Sequence, residues 1–237
     1  MQFPSPLIRG TLLKRYKRFL ADVRLEDGTE ITASVPNTGS MMGLCEPGAI
    51  VWLSRSESPT RKYPFSWELI ETDLGAGTTL VGINTGQPNK LVEEAIRAGA
   101  IPELAGYPDL RREVRYGLNS RIDLLLTGED EKLCYVEVKN VHLSRKAGLA
   151  EFPDCVSERA AKHLVELSQM VAEGHRAVMV YLVQRCDTAA FQLAGDLDPK
   201  YAAAFKAART AGVEALAYDC AISTTCVELA NRLPFEV

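Results

Sequence analysis

The residues with the clearest chemistry lie in the middle of the chain, where Glu137 follows Asp123 by fourteen positions and Lys139 comes two residues later. Asp123 stands in the apolar run 122–126, and the other two stand in the apolar run 133–141. Both runs predict β-strands of a buried sheet, joined by a hairpin loop at residues 127–130. Because side chains alternate along a strand, Glu137 and Lys139 are expected on one face.

These residue types suit metal-dependent hydrolysis of a phosphodiester. A charge in a buried strand is unfavourable unless it is paired or bound to a metal. Asp123 and Glu137 on adjacent strands can share Mg²⁺ or Mn²⁺, which prefer carboxylate oxygens and lower the pKa of a bound water. Lys139 can position or deprotonate that water, or stabilise developing negative charge. The alternative is an ion pair between strands or along one face, without catalysis.

The distribution of charge predicts a nucleic-acid partner although the net charge is −4. Residues 1–20 contain no acid, and a second basic group precedes Tyr63, Phe65 and Trp67. Basic side chains beside aromatic rings suit phosphate contact and base stacking. The alternative is an ordinary solvated surface. The predicted ligands in these two groups are Lys14, Arg15, Lys17, Arg18, Arg61 and Lys62.

Further basic residues lie close to the predicted acid pair in sequence or on a nearby helix. Arg121 shares the strand face of Asp123 by the period of two, and it can bind the scissile phosphate or neutralise Asp123. Arg159, Lys162 and His163 fall together on a predicted helix, where a substrate strand can run. A solvated polar face is the alternative for these three.

Two regions with different patterns predict two domains, at residues 1–82 and 83–237. The first contains short alternating runs at 21–25 and 31–35, around an Asp27-Gly28 turn, and further strands at 49–54 and 66–71. The second alternates helices with strands, which is typical of an α/β/α domain within an α+β chain. Its helices are predicted at 88–99 with Asn89 as the cap, 157–172 with Ser157 as the cap, and 199–211, and its later strands at 177–184 and 213–222.

Cysteine usage and hydropathy indicate a cytoplasmic protein. The six cysteines include no C-x-x-C pair, and buried free thiols in a reducing compartment are expected. The N-terminus is broken by Pro4 and Pro6 and does not resemble a signal peptide. No apolar stretch reaches the length of a membrane span.

Longer motifs resemble two known groups of proteins. The D-x13-E-V-K pattern resembles the PD-(D/E)xK nuclease superfamily, although Ile122 stands where that name has proline. The segments P-N-T-G-S-M, G-I-N-T-G-Q-P-N, R-R-E-V-R-Y-G-L-N-S-R-I-D and F-P-D-C-V-S-E-R-A-A-K-H-L are similar to the sugar fermentation stimulation protein family of prokaryotes. This resemblance implies an N-terminal OB-fold-like β-barrel, a nuclease-like C-terminal domain, DNA binding with little sequence preference and a role in sugar (maltose) metabolism.

Two classes of function follow from these observations. The first is a DNA-binding enzyme with a Mg²⁺- or Mn²⁺-dependent nuclease site at Asp123, Glu137 and Lys139. The second is a non-catalytic DNA-binding regulatory factor linked to sugar metabolism. The intact acid-acid-lysine pattern favours the enzyme. The DNA binding that the family resemblance implies favours the regulator. Single-stranded DNA, duplex DNA and RNA all fit these residues, because no residue is assigned to the 2′-hydroxyl.

Overall fold

The computed structural model describes residues 1–75, 77–117, 120–129 and 132–236. Asp130, predicted in the loop between the two site strands, lies outside the described residues. The N-terminal sheet is built from β1 (Ile8–Tyr16), β2 (Leu20–Leu25), β3 (Glu30–Ser34), β4 (Ile50–Arg55), β5 (Phe65–Thr72) and β6 (Thr79–Gly82).

A parallel bridge between Ser34 and Ser66 closes this sheet into a barrel. The strand order is β3-β2-β1-β4-β5-β6, and the bridge joins β3 to β5, so that β1 to β5 form a closed ring. Leu12, Val23 and Trp67 are fully buried inside it. The alternating pattern of the strands thus encloses a core of its own, and the OB-fold-like barrel implied by the family resemblance is confirmed.

The remaining elements follow in chain order. They are α1 (Pro88–Arg97), a 3₁₀-helix (Pro102–Leu104), β7 (Asp109–Tyr116), β8 (Ser120–Thr127), β9 (Leu133–Val141), β10 (Leu143–Lys146), β11 (Gly148–Phe152), α2 (Glu158–Ala172), β12 (Arg176–Val183), β13 (Thr188–Leu193), α3 (Pro199–Thr210), β14 (Glu214–Ile222) and β15 (Val227–Arg232).

The larger C-terminal sheet has the order β15-β14-β12-β9-β8-β7, with β9, β12 and β14 parallel to one another. Leu91 and Val92 of α1 pack on one face of this sheet. Leu164 of α2 and Tyr201 of α3 pack on the opposite face. Helices on both faces of a mixed sheet confirm the predicted α/β/α arrangement. Strand β9 lies in the middle of the sheet and is covered on both sides.

Of the two predicted helix N-caps, Ser157 is confirmed and Asn89 is not. Ser157 caps α2 as predicted, because its side chain accepts a hydrogen bond from the backbone N–H of Ala160 at 3.2 Å. The predicted cap of α1, Asn89, is wrong: the N-cap is Gln87, and it makes no side-chain cap hydrogen bond. The Asn89 amide instead turns toward the site. Within the described residues, no helix combines the length and the apolar character needed to span a membrane.

Candidate active site

The backbone ladder between β8 and β9 stops at the predicted acid pair. Regular pairing runs from Thr127 opposite Leu133 to Leu124 opposite Val136. One residue further along, the side chain of Asp123 takes over as acceptor: its Oδ2 lies 2.8 Å from the Val138 backbone nitrogen. A carboxylate therefore stands where the next strand-to-strand contact would be made, and the two strands can separate around it.

Asp123 is held from two sides and is half-buried. Its Oδ1 accepts a hydrogen bond at 2.8 Å from the amide of Asn89, on α1. Burial raises the pKa of Asp123 to about 6, and the negative charge of Glu137 contributes to the same shift. The two carboxylates are thus close enough to oppose each other's ionisation.

Glu137 projects from the centre of β9 and is 2% exposed. Its Oε1 is 2.7 Å from the Lys139 ammonium nitrogen and also contacts His163 Nδ1, from α2. Burial acts to raise the pKa of Glu137, but these hydrogen bonds and the charge of Lys139 outweigh it and hold the pKa below its usual value. Oε2 is buried and has no hydrogen-bond partner among the described residues.

The two carboxylates suit a hard divalent cation. Mg²⁺ commonly takes one or two protein carboxylates and fills its other positions with waters and phosphate oxygens. A buried carboxylate oxygen without a partner, as Glu137 Oε2 is among the described residues, is satisfied by such an ion. In the same ranges of the chain, no group of three His, Cys, Asp or Glu side chains is arranged around one point. An all-protein cage is therefore not present there, and a solvated ion fits better.

A basic pocket of about 370 Å³ adjoins the acid pair through His163, which lines the pocket and contacts Glu137. Arg121, at the start of β8, and Arg159 and Lys162, on the first turns of α2, also line it. The structure therefore brings Arg121 and the two helix residues together in one pocket, which reaches Glu137 through His163. Phosphate oxygens are the ligands that such a set of cations binds.

Two functional contacts were not predicted from sequence. Asn89 is predicted as a helix cap, whereas its amide donates to Asp123. His163 is predicted beside a substrate strand or on a solvated helix face, whereas it is 5% exposed and contacts Glu137 of β9. A signal for His163 was available, because it directly precedes Leu164 on the apolar side of the helix. No local signal distinguishes the role of Asn89.

The predicted basic residues of the barrel differ in what they contact. Arg15 donates hydrogen bonds to the backbone carbonyls of Arg18, Asn37, Gly39 and Ser40. Its guanidinium holds the loop at 37–40 in place. Arg15 therefore has a structural role in this loop, and its predicted role as a nucleic-acid ligand stays a prediction.

The other barrel residues keep more of their cationic groups available. Lys17 and Arg18 are exposed at the turn between β1 and β2, and Arg18 donates to the Thr38 carbonyl at 2.7 Å. Lys62 is exposed over the ring of Tyr63. Two positions are more engaged: Lys14 pairs with Asp22 at 3.3 Å, and Arg61 donates to the hydroxyls of Ser34 and Ser66 at the barrel seam.

The loop at 37–40 also joins the two parts of the chain. The Ser40 hydroxyl donates to Asp154 Oδ2 at 3.0 Å, and the Met41 backbone nitrogen donates to the same oxygen at 3.0 Å. His142, at the end of β9, lies 3.3 Å from this carboxylate. Asp154 precedes α2 by four residues, so the loop to which Arg18 is hydrogen-bonded is fixed near the start of the helix that carries Arg159.

Comparison with known proteins agrees with this architecture. The family model described as the SfsA N-terminal OB domain matches residues 13–83, and the model for the sugar fermentation stimulation protein RE domain matches residues 86–226. Sugar fermentation stimulation protein homologs from Azorhizobium caulinodans and Rhodospirillum centenum are 58% and 60% identical to this chain, over 99% and 94% of its length and the same shares of their own. The structure of Pyrococcus furiosus SfsA in complex with Ca²⁺ superimposes with a TM-score of 0.88 at 30% identity, covering 100% of this chain and 98% of that one. The chain belongs to the sugar fermentation stimulation protein family.

Proposed function

We propose that this protein binds DNA with little sequence preference and hydrolyses its phosphodiester bonds, using Mg²⁺ or Mn²⁺ held by Asp123 and Glu137. The proposal rests on the hydrogen bonding of the two carboxylate oxygens of Glu137. Its Oε1 is fixed by Lys139 and His163, while its buried Oε2 lacks a partner within the described chain. A structural ion pair would engage both oxygens, whereas a metal ligand needs one of them free.

Each member of the site has a separate task in this proposal. When bound, the metal supplies an activated water and neutralises charge on the phosphate. Asp123 and Glu137 hold it from adjacent strands, with Asp123 oriented by Asn89 and the Val138 N–H. Lys139, fixed against Glu137, orients the attacking water and offsets negative charge that develops on the phosphate oxygens.

The basic pocket supports a nucleic-acid substrate. Arg121, Arg159 and Lys162 line the same pocket as His163, so they can hold the phosphates on either side of the one that is cleaved. Their contacts would be to the backbone of the strand and not to base edges, which agrees with little sequence preference.

The turn between β1 and β2 supports a path for the strand from the barrel to this pocket. Lys17 and Arg18 have φ angles of 51° and 66°, a left-handed conformation that favours Gly, Asn or Asp. Long basic side chains at such positions are tolerated at a local energetic cost of about 1 kcal/mol each, which a role in DNA binding would explain. Arg18 is anchored to the loop that docks near the start of α2.

The Pyrococcus furiosus relative, whose structure is a complex with Ca²⁺, supports the metal part of the proposal. Ca²⁺ and Mg²⁺ are both hard cations that bind oxygen ligands. We extend a divalent cation to the present chain on the basis of Asp123 and Glu137. The specific use of Mg²⁺ or Mn²⁺ is part of the proposal.

One observation favours the second candidate, a DNA-binding regulatory factor linked to sugar metabolism. The charge of Glu137 is already compensated by Lys139 without a metal, so the ion pair can persist in a protein that does not cleave. The two candidates share the basic surface and differ only in the acid pair.

A nuclease assay separates these candidates. End-labelled single-stranded, duplex and branched DNA and RNA are incubated with Mg²⁺, Mn²⁺ or EDTA, and binding to the same substrates is followed by fluorescence anisotropy. Asp123→Asn and Lys139→Met are tested beside Lys200→Ala, an exposed control on α3. We expect metal-dependent cleavage that both site variants lose and the control keeps. Binding without cleavage would favour the regulator, and equal cleavage by all variants would reveal a contaminating nuclease.

A further inference from the structure

His163 is a buried residue that connects the acid pair with the phosphate pocket. Its Nδ1 contacts Glu137 Oε1, and its Nε2 lies 3.5 Å from Arg159 Nε. The ring is 5% exposed and also lines the basic pocket. One side chain therefore touches a proposed metal ligand at one edge and a proposed phosphate ligand at the other.

The partners of His163 determine which ring nitrogen carries the hydrogen. A carboxylate oxygen is only an acceptor, so Nδ1 carries a hydrogen and donates it to Glu137 Oε1. Arg159 Nε faces Nε2 across a longer contact of 3.5 Å. Oε1 consequently receives hydrogen bonds from both His163 and Lys139. With two donors on one oxygen, Oε2 is the oxygen turned toward a ligand.

The position of His163 is fixed by the helix that carries it. Ser157 caps α2, and its own backbone N–H donates to Asp198 Oδ2 at 2.9 Å. The neighbouring residues Ala160, Leu164 and Leu167 lie in the core against the sheet. The imidazole is therefore presented to β9 by a rigid element, as is required of a group that orients a metal ligand.

We propose that His163 is a positioning residue, which fixes the rotation of the Glu137 carboxylate so that Oε2 faces the metal, and which ties this orientation to Arg159 in the phosphate pocket. This inference rests on the proposed metal site. It assigns no contact between His163 and the substrate or the metal. Partners that orient a ligand in this way change metal affinity by about 10- to 100-fold when they are removed.

The test compares side chains that differ in where they place a donor. The His163→Asn amide nitrogen can occupy the position of Nδ1, the His163→Gln amide reaches the position of Nε2, and His163→Leu keeps volume without a donor. The dissociation constant for Mn²⁺ is measured by isothermal titration calorimetry on the full chain without nucleic acid, beside the melting temperature by circular dichroism. Cleavage kcat and KM are measured in parallel.

We expect His163→Leu and His163→Gln to weaken Mn²⁺ binding by about 10- to 100-fold, and His163→Asn to remain within about threefold of the wild type. Mn²⁺ affinity in His163→Leu equal to that of the wild type would overturn the proposal. Equal losses of Mn²⁺ affinity in His163→Asn and His163→Gln would also overturn it. These two variants are sufficient for the test if His163→Leu does not fold. If the wild-type protein binds Mn²⁺ but does not cleave, the nuclease proposal is wrong. The dissociation constants of the His163 variants then still decide whether His163 positions Glu137. Wild-type protein that binds no Mn²⁺ would overturn both.

Discussion

Replacing Asp123 with asparagine should stabilise the metal-free protein at neutral pH. The carboxylate is half-buried near Glu137, and its pKa is raised from 3.8 to about 6. At pH 7 the group is ionised in both the folded and the unfolded state, but its charge is unfavourable in the folded state and well solvated in the unfolded state. Asp123→Asn removes this charge and keeps the shape of the side chain.

The size of the effect follows from the pKa shift. Raising a pKa by about two units corresponds to about 3 kcal/mol of lost stability at pH 7, since one unit is about 1.4 kcal/mol. The substitution also has a cost, because Asp123 accepts from both the Asn89 amide and the Val138 N–H, and an asparagine has one acceptor oxygen. That loss is about 1 kcal/mol. The expected net gain is therefore about 1–2 kcal/mol in the free energy of unfolding.

Urea denaturation in EDTA, followed by circular dichroism, measures this gain. Asp154→Asn is the matched control, because burial acts to raise the pKa of Asp154 but His142, the Met41 N–H and Ser40 hold it well below its usual range. The same change of residue type should there destabilise the protein, by about 1–3 kcal/mol. Opposite signs at the two aspartates would separate local electrostatics from a general effect of Asp→Asn substitution.

The pH dependence of the difference provides a second check. For an acid with a raised folded pKa, the folded state holds its proton more tightly, so stability falls as pH rises from about 4 to about 6. The advantage of Asp123→Asn should accordingly be present at pH 7 and absent near pH 4. Asp154 has the reverse sign: its contribution is present at neutral pH and is lost as pH falls below about 4. An Asp123→Asn protein that is less stable than the wild type at pH 7 in EDTA would refute this account of the site.

Three further predictions concern the basic surface. Single alanine substitutions of Arg121, Arg159 and Lys162 should each weaken DNA binding at low salt. Each should also reduce the slope of log K against log salt concentration by about 1, measured by fluorescence anisotropy between about 50 and 200 mM NaCl. An unchanged slope would exclude a phosphate contact at that position. Arg15→Ala should lower the free energy of unfolding by about 2–3 kcal/mol, because two partly buried carbonyls lose a charged donor; a change under about 0.5 kcal/mol would contradict its structural role. Lys17→Gly should raise stability by about 0.5–1 kcal/mol in urea denaturation and weaken DNA binding, because glycine relieves the left-handed backbone while the charge is lost; unchanged affinity would remove this residue from the proposed path.

The two site strands could be predicted because their signals are local. The apolar run at 133–141 coincides with β9, and the run at 122–126 lies within β8. A carboxylate inside such an apolar run must be paired or bound to a metal, so its presence limits the range of functions that the sequence can have. The predicted helices agree with α1, α2 and α3 to within two residues at each end.

Several strands could not be predicted because their sequences do not alternate between apolar and polar residues. Strand β7 is D-L-R-R-E-V-R-Y and lies at the edge of the sheet, where most of its side chains are exposed. Edge position removes the buried face on which period-two patterns depend. Strand β1 was not predicted for a related reason: Lys14 and Arg15 follow its buried residues, and the loop at 37–40, which Arg15 contacts, is distant in sequence.

Contacts between distant segments account for the rest of what the sequence did not predict. His163 and Glu137 are 26 residues apart, and Asn89 and Asp123 are 34 residues apart. Each pair meets only because a helix packs across the sheet at a particular register. Periodicity identifies the helix and its apolar side, but it does not indicate which strand residue a given side chain reaches.

The electrostatics of the acid pair connect stability with metal binding. Glu137 is compensated by Lys139 and His163, so the unfavourable part of the site is concentrated on Asp123, whose pKa is raised. A divalent cation between the two carboxylates would remove that penalty, and the relief would add to the binding free energy. The same arrangement that weakens the metal-free fold thus favours the occupied state. A protein that had no use for a cation would gain stability by losing the charge of Asp123. The sign of the change in unfolding free energy caused by Asp123→Asn in EDTA, considered together with Mn²⁺ binding by the wild type, therefore tests the function as well as the fold.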